Sequence, residues 1–238
     1  MKIRVLDGDI AKEVDIYTED GLALMTQLWG RVSFHHRLGY EPTWLGVPII
    51  QMPSDIVMMQ ELLWKVRPDV VIETGVAHGG SLMLSSSILE LLGKGRVIGV
   101  DIEIRKYNEI AIKSHPLSKR ISLIQGSSID EKTIKAVRQQ IKDDDKALVV
   151  LDSDHSYEHV LREMELYSCF VSKGGYMVVM DGVQEMLSDN PTGKKEWKHD
   201  NPLRAIKEFL RERSDWEIDN TYTRLKSTCC PDGFLRKI

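Results

Sequence analysis

VVIETGVAHGGS, residues 70–81, runs from a short apolar stretch through a loop carrying Gly75, Gly79 and Gly80 into a segment of helical period that continues to Leu92. Strand, glycine turn and helix in that order form the first half of a β-α-β unit, and the pattern repeats downstream. β-rich apolar runs recur at 96–100 (RVIGV), 121–124 (ISLI), 147–151 (ALVVL) and 176–180 (YMVVM). Segments of helical period at 107–115, 129–141 and 157–170 separate them. Continuous apolar strands alternating with helices predict a parallel sheet covered on both faces. A helix over 54–66, capped by Ser54 and stopped at Pro68, precedes the first strand. A polar stretch, 187–202, interrupts the alternation before a helix over 203–213 and two closing strands, 216–218 and 234–238. The expected fold is an α/β open sheet of about seven strands. Residues 1–52 read differently: a short helix around 22–29 is followed by RLGYEPTWLGVPIIQMP (37–53), whose glycines and prolines predict an ordered connection or lid. The chain is therefore divided into an extension or lid, 1–52, and a main domain, 53–238.

In such sheets ligands bind beyond the carboxyl ends of the strands. The loop after the first strand has the spacing G-x-x-x-G-G, not the G-x-G-x-x-G of dinucleotide sites, and the chain contains no G-x-x-x-x-G-K-[ST]. Glu73 at the strand end repels a phosphate and suits a cationic group. Asp101, at the end of the second strand, can accept hydrogen bonds from ribose hydroxyls. S-adenosylmethionine carries an ammonium, a sulfonium and a ribose but no phosphate, and it matches Glu73, Gly75, Gly79, Gly80, Ser81 and Asp101 together. After the third strand, Ser128 in QGSSID either edges an adenine ring or belongs to an ordinary turn that caps the next helix.

The fourth strand leads into Asp152-Ser153-Asp154-His155 and the fifth into Asp181. Carboxylates at neighbouring strand ends offer hard oxygen ligands to a divalent cation. Methyl transfer to an aliphatic hydroxyl needs help with its proton, and His155 is the candidate base. Asp154 is open between a helix cap and a partner of that site. His78 sits within the glycine loop, while His35 and His36 read as surface residues. Trp44 and Tyr40 fit either a lid or local packing.

The charge balance of 32 basic and 36 acidic residues, net −4, argues against nucleic-acid binding. No run approaches the roughly 18 apolar residues of a membrane span, and the N-terminus lacks a signal-peptide core. Three cysteines, Cys169, Cys229 and Cys230, make no disulfide framework or zinc spacing, which fits a cytoplasmic protein.

The ordered strings WLGVPIIQMPSDIVMMQELLWKVRPDVVIETGVAHGGS (44–81), GRVIGVDI (95–102), QGSSID (125–130), VVLDSDHSYEHVLREMELY (149–167) and VVMD (178–181) resemble the cephalosporin hydroxylase family, whose members look like S-adenosylmethionine-dependent O-methyltransferases. More distantly the chain is similar to macrolide-sugar and catechol O-methyltransferases. The resemblance implies a Rossmann-like class I methyltransferase fold and cofactor contacts at Glu73, Gly75, Gly79–Ser81, Asp101, Ser128 and Asp152. It further implies Mg²⁺ ligation at Asp152 and Asp181, with His155 as base, and methylation of a sugar hydroxyl in a glycan precursor or glycosylated metabolite by a self-associating protein. One position departs: Met180 stands where Mg²⁺-dependent relatives carry an acid, and a thioether is too soft to replace it. The competing readings are a nucleotide-cofactor oxidoreductase holding NAD through Asp101, disfavoured by the glycine spacing, and a catalytically silent cofactor-binding subunit. No 2-His-1-carboxylate spacing supports an iron oxygenase.

Overall fold

The computed structural model describes residues 1–7 and 10–238. The chain opens with strands β1 (Lys2–Asp7) and β2 (Ile10–Asp15), paired antiparallel as a separate two-stranded ribbon, and helix α1 (Glu19–His35). The ribbon was not expected, although the alternation of Ile3 and Val5 with charged neighbours is a strand pattern. Helix α1 extends beyond the expected 22–29 at both ends, and Thr18, which accepts a hydrogen bond from the Gly21 amide at 3.1 Å, accounts for its early start. The short pair β3 (Thr43–Trp44) and β4 (Val47–Pro48) follows, then α2 (Pro53–Val66). Here the expected cap fails: Pro53 is the first helical residue after Met52, and the Ser54 hydroxyl instead donates to the carbonyl of Ser227.

The alternation then unfolds as read: β5 (Val70–Thr74), α3 (Gly80–Leu91), β6 (Arg96–Asp101), α4 (Lys106–Ser114), β7 (Ile121–Gln125), α5 (Glu131–Arg138), β8 (Ala147–Leu151), α6 (Tyr157–Tyr167) and β9 (Tyr176–Val179). A four-residue helix α7 (Gln184–Leu187), helix α8 (Pro202–Glu212) and strands β10 (Trp216–Ile218) and β11 (Phe234–Lys237) complete it. The main sheet has seven strands in the order β10-β11-β9-β8-β5-β6-β7, all running the same way except β11, which is antiparallel to both β9 and β10. β11 enters between β9 and β10, which no local pattern announces.

Successive strand residues serve two cores. Val71, Val97, Leu148 and Val178 pack with Leu62, Leu63, Leu82 and Leu89 of α2 and α3. Val70, Ile72, Ile98 and Val149 pack with Met164, Ile206 and Phe209 of α6 and α8 on the opposite face. Both faces are dry, which is why the strands read as unbroken apolar runs.

The expected boundary at residue 52 does not coincide with a break in packing. Ile49 is fully buried, the Trp44 indole donates to Ser87 of α3 at 3.0 Å, and a Cβ on Gly80 would stand 2.2 Å from the Pro48 carbonyl oxygen. Trp44 is thus a packing residue rather than a lid. Among the described residues, no helix is long and apolar enough to cross a membrane.

Candidate active site

The strand order reverses at β5, whose neighbours are β6 on one side and β8 on the other. The loops after β5 and β8 are pressed together at this point. Asp152 donates its amide to the Thr74 carbonyl at 2.9 Å, and a Cβ on Gly75 would lie 1.8 Å from the Asp152 carbonyl oxygen. With φ at +89°, only glycine fits there. Gly79, also at φ +89°, precedes the first turn of α3.

Glu73 ends up 1% exposed, and its carboxylate accepts a hydrogen bond from the Ser81 hydroxyl. Burial pushes it up to about 7, and the single bond from Ser81 only partly offsets this. A buried carboxylate with one neutral partner fits a cationic ligand group and disfavours a phosphate, so the chemistry of the donor set suits S-adenosylmethionine. Asp101 is half-buried and is already engaged: Oδ2 accepts from the amides of Val76 at 2.8 Å and Ala77 at 3.2 Å, and Oδ1 from that of Glu103 at 3.0 Å. It therefore ties the glycine loop to β6, and a ribose hydroxyl has only the remaining lone pairs to use.

Ser128 is held within the protein. It is buried, its hydroxyl lies 3.0 Å from His159 Nε2, and its carbonyl accepts from the Tyr167 hydroxyl at 3.0 Å. Both its side chain and its carbonyl are thus engaged by residues of α6. Asp154 resolves as a turn residue whose Oδ1 accepts the Ser156 amide at 2.8 Å just ahead of α6. His35 and His36 are exposed, as expected of surface residues.

Asp152, His155 and Asp181 come together. His155 Nδ1 lies 2.8 Å from Asp181 Oδ2, and its Nε2 lies 3.6 Å from Asp152 Oδ1. One ligand atom from each of the three residues lies within 4.8 Å of the others, a spacing that can hold a metal ion. Asp181 reaches this place through a left-handed backbone, φ +58°, which aspartate tolerates better than most residues. Met180 is instead buried, with its sulfur 3.3 Å from Cys230 Sγ. The third member of the cluster is therefore a histidine, already bonded to Asp181 through Nδ1, rather than a third carboxylate. Two carboxylates still offer hard oxygens to Mg²⁺, so the residues present fit a divalent cation with fewer charges than a three-acid site.

The cluster is electrostatically frustrated without a cation. Burial, then the charge of Asp181, raises the Asp152 carboxyl well above the usual carboxylate range. Burial alone would lower His155, but Asp181 and Asp152 outweigh it and raise the imidazole to about 9. Two residues escaped the sequence reading. Gln184 is buried and puts its amide nitrogen 2.8 Å from His155 Nδ1, while its Oε1 has no partner. The amide can donate to a neutral Nδ1 or, turned over, accept from a protonated one. Asp55 on α2 accepts from the Thr228 hydroxyl at 2.5 Å and the Cys229 amide at 2.7 Å, fixing the 227–230 loop beside Asp181. Burial raises Asp55 to about 6, and Asp181 adds to the push.

A cavity of about 840 Å³ opens on the side of Asp181 away from the glycine loop. Its walls are α1 from Ala23 to Phe34, Arg37 just beyond it, and residues 50–52, 181–189 and 226–231. Tyr40 lines it too, so the N-terminal segment forms a wall of the site.

Comparison with known proteins adds independent findings. The sequence profile of the family described as "Rhamnosyl O-methyltransferase/CmcI" matches residues 36–238. The chain is 32% identical to the rhamnosyl O-methyltransferase of Mycobacterium leprae (strain TN) over 201 residues, covering 81% of this chain and 82% of that protein. It is 32% identical to the protein of the same name from Mycobacterium tuberculosis (strain ATCC 25618 / H37Rv), covering 81% of this chain and 77% of the other. Among solved structures, an apo structure of CmcI superposes with a TM-score of 0.61 at 21% identity, over 84% of this chain and 77% of that one. A putative caffeoyl-CoA O-methyltransferase from Staphylococcus aureus gives 0.60 at 13% identity, over 90% and 92%. The two structures share the fold.

Proposed function

The chain belongs to the rhamnosyl O-methyltransferase/CmcI family, and we propose that it transfers the methyl group of S-adenosylmethionine to a hydroxyl of a sugar. The observation that carries this is the position of the Asp152–His155–Asp181 cluster, between a phosphate-averse glycine loop and a cavity large enough for a glycoside. When bound, S-adenosylmethionine supplies a methyl group on a positively charged sulfur that departs as a neutral thioether. The protein's own work is then to hold both reactants in line and to accept one proton.

Asp181 accepts from His155 Nδ1 and so fixes the tautomer whose Nε2 has a free lone pair, the form that takes the acceptor's proton. Asp152 and Asp181 are the residues that would hold Mg²⁺, and a cation there would supply positive charge beside the acceptor oxygen. Glu73 holds the donor's ammonium, and Gly75, Gly79, Gly80 and Ser81 shape the loop around it. Asp101 secures that loop and offers its spare lone pairs to the ribose. Main-chain atoms of Ser128 edge the adenine.

Self-association belongs to the same reading. Leu22, Met25, Trp29 and Val32, each 44–50% exposed, recur at helical spacing along the outward side of α1. Three free cysteines fit a cytoplasmic setting.

The test is transfer of radiolabelled methyl from S-adenosylmethionine to a panel of rhamnosides and other glycosides, with Mg²⁺ or with EDTA. Turnover that collapses in His155→Ala while calorimetry shows the donor still bound supports the roles given. Undiminished turnover in that variant refutes the base assignment. Absence of labelling on every sugar refutes the acceptor class.

A further inference from the structure

The cavity beside Asp181 is cationic in a chain whose net charge is −4. Arg31, Arg37, Lys198, Lys207 and Lys226 line it, against Asp181, Glu185 and Asp189. Each acid is already taken: Arg31 pairs with Asp189 at 2.7 Å, Lys207 with Glu185 at 3.3 Å, and Asp181 with His155 at 2.8 Å. That leaves Arg37, Lys198 and Lys226 with no carboxylate in ion-pair range among the described residues. Two of the three, Arg37 at φ +54° and Lys226 at φ +66°, occupy left-handed backbone positions, where long side chains are disfavoured. Strain of that kind is commonly retained where a site needs the side chain. A neutral sugar needs no cations. At about 840 Å³ the cavity also lies toward the upper end of the range of roughly 300–1,000 Å³ found for small-molecule sites, more room than a monosaccharide fills.

We propose that the acceptor enters as a phosphate-bearing sugar, a glycosyl diphosphate, with its anionic group held by Arg37, Lys198 and Lys226 at the cavity rim and its hydroxyl directed toward Asp181 and His155. The proposal rests on the sugar-methylation reading and narrows it to an activated precursor, upstream of the transfer that releases the diphosphate. Apolar lining from Phe34, Ile50, Met52 and Met186 offers the surface against which the sugar's C–H face packs. The excess positive charge concentrates an anionic acceptor at the mouth and predicts weaker capture as ionic strength rises.

The experiment separates anion binding from turnover. Inorganic pyrophosphate and thymidine diphosphate are titrated calorimetrically, in EDTA and with S-adenosylhomocysteine present, into the full chain and into a triple variant, Arg37→Gln, Lys198→Gln and Lys226→Gln. All three residues are exposed, so neutral isosteres leave the fold intact. Expected are saturable binding to the native chain, at least tenfold weaker binding to the variant, and unchanged affinity for S-adenosylhomocysteine. No binding to the native chain, or equal binding to both, overturns the proposal.

A turnover arm compares thymidine diphosphate rhamnose, rhamnose linked to a short prenyl diphosphate, and methyl rhamnoside. A tenfold or greater preference in kcat/KM for a diphosphate form, lost in the variant, supports the proposal, and the better diphosphate form identifies a nucleotide or a lipid carrier. Equal use of the neutral glycoside overturns it. Pyrophosphate bound with no sugar methylated in any form overturns the methylation reading itself, and with it the acceptor assignment.

Discussion

Removing the divalent cation should change the protonation of His155, and the size of the change follows from the cluster's geometry. With Asp181 Oδ2 at 2.8 Å and Asp152 Oδ1 at 3.6 Å, the imidazole titrates at about 9 instead of its ordinary 6.5. At pH 7 a group titrating at about 9 is neutral about 1% of the time, whereas at 6.5 it is neutral about 76% of the time. Mg²⁺ bound by the two carboxylates cancels the charge that raises the imidazole, so the base-competent fraction at pH 7 should rise roughly 75-fold. The sign is clear: the working form is the neutral one, and activity in EDTA should climb with pH through about 9, while in Mg²⁺ the same limb should move to 6.5 or below. The assay is NMR titration of protein labelled in its histidine rings, with His155→Gln to assign the resonance, in EDTA and in Mg²⁺. It needs no knowledge of the acceptor. A midpoint near 6.5 in EDTA, or one near 9 that Mg²⁺ leaves in place, refutes the coupling.

Three further outcomes are expected. Glu73→Gln should weaken S-adenosylmethionine binding yet stabilise the ligand-free protein at pH 8. Glu73 titrates at about 7 when folded against 4.5 ordinarily, a penalty that grows as pH rises through that window and reaches at most about 3 kcal/mol. Thermal melting should show the gain at pH 8 and little of it at pH 5, and equal gains at both would contradict the burial argument. Gly75→Ala should cost about 2–4 kcal/mol, from the left-handed backbone and the clash with the Asp152 carbonyl, with a matching fall in donor affinity by calorimetry. Met180→Glu should cost about 3 kcal/mol or more in denaturant unfolding and add nothing to Mg²⁺ affinity, because that side chain is buried against Cys230.

What the sequence revealed was whatever depends on neighbours along the chain. The apolar runs at 70–73, 96–100 and 147–151 became parallel strands because their pattern reflects burial on both faces, 121–124 joined them as a half-buried edge strand, and strand-end residues gathered because parallel strands end on one edge. Features set by distant partners stayed hidden. Asp55 reads as an ordinary first-turn carboxylate, and its partners Thr228 and Cys229 lie 173 and 174 residues away. Ser54 looked like a cap because nothing local points to the Ser227 carbonyl. The His159 contact of Ser128 is equally invisible, because the two residues lie 31 apart in sequence. Met180 reads as a missing ligand because its contact with Cys230, 50 residues away, is invisible in the sequence. Gln184 was passed over because an amide carries no charge to flag it.

The pocket's two halves come from different parts of the chain. The half proposed for the donor is made by turns after β5, β6 and β8, locked by Gly75, Gly80 and the amide bonds to Asp101. The other half is drawn from α1, the 181–189 segment and the 226–231 loop, with only Asp181 and its imidazole partner on the dividing line. Such a layout lets selection rewrite what is methylated without disturbing how the methyl donor is gripped. Chimaeras exchanging residues 19–40 and 183–189 with a homologue should therefore inherit its preferred acceptor while retaining this chain's affinity for the donor.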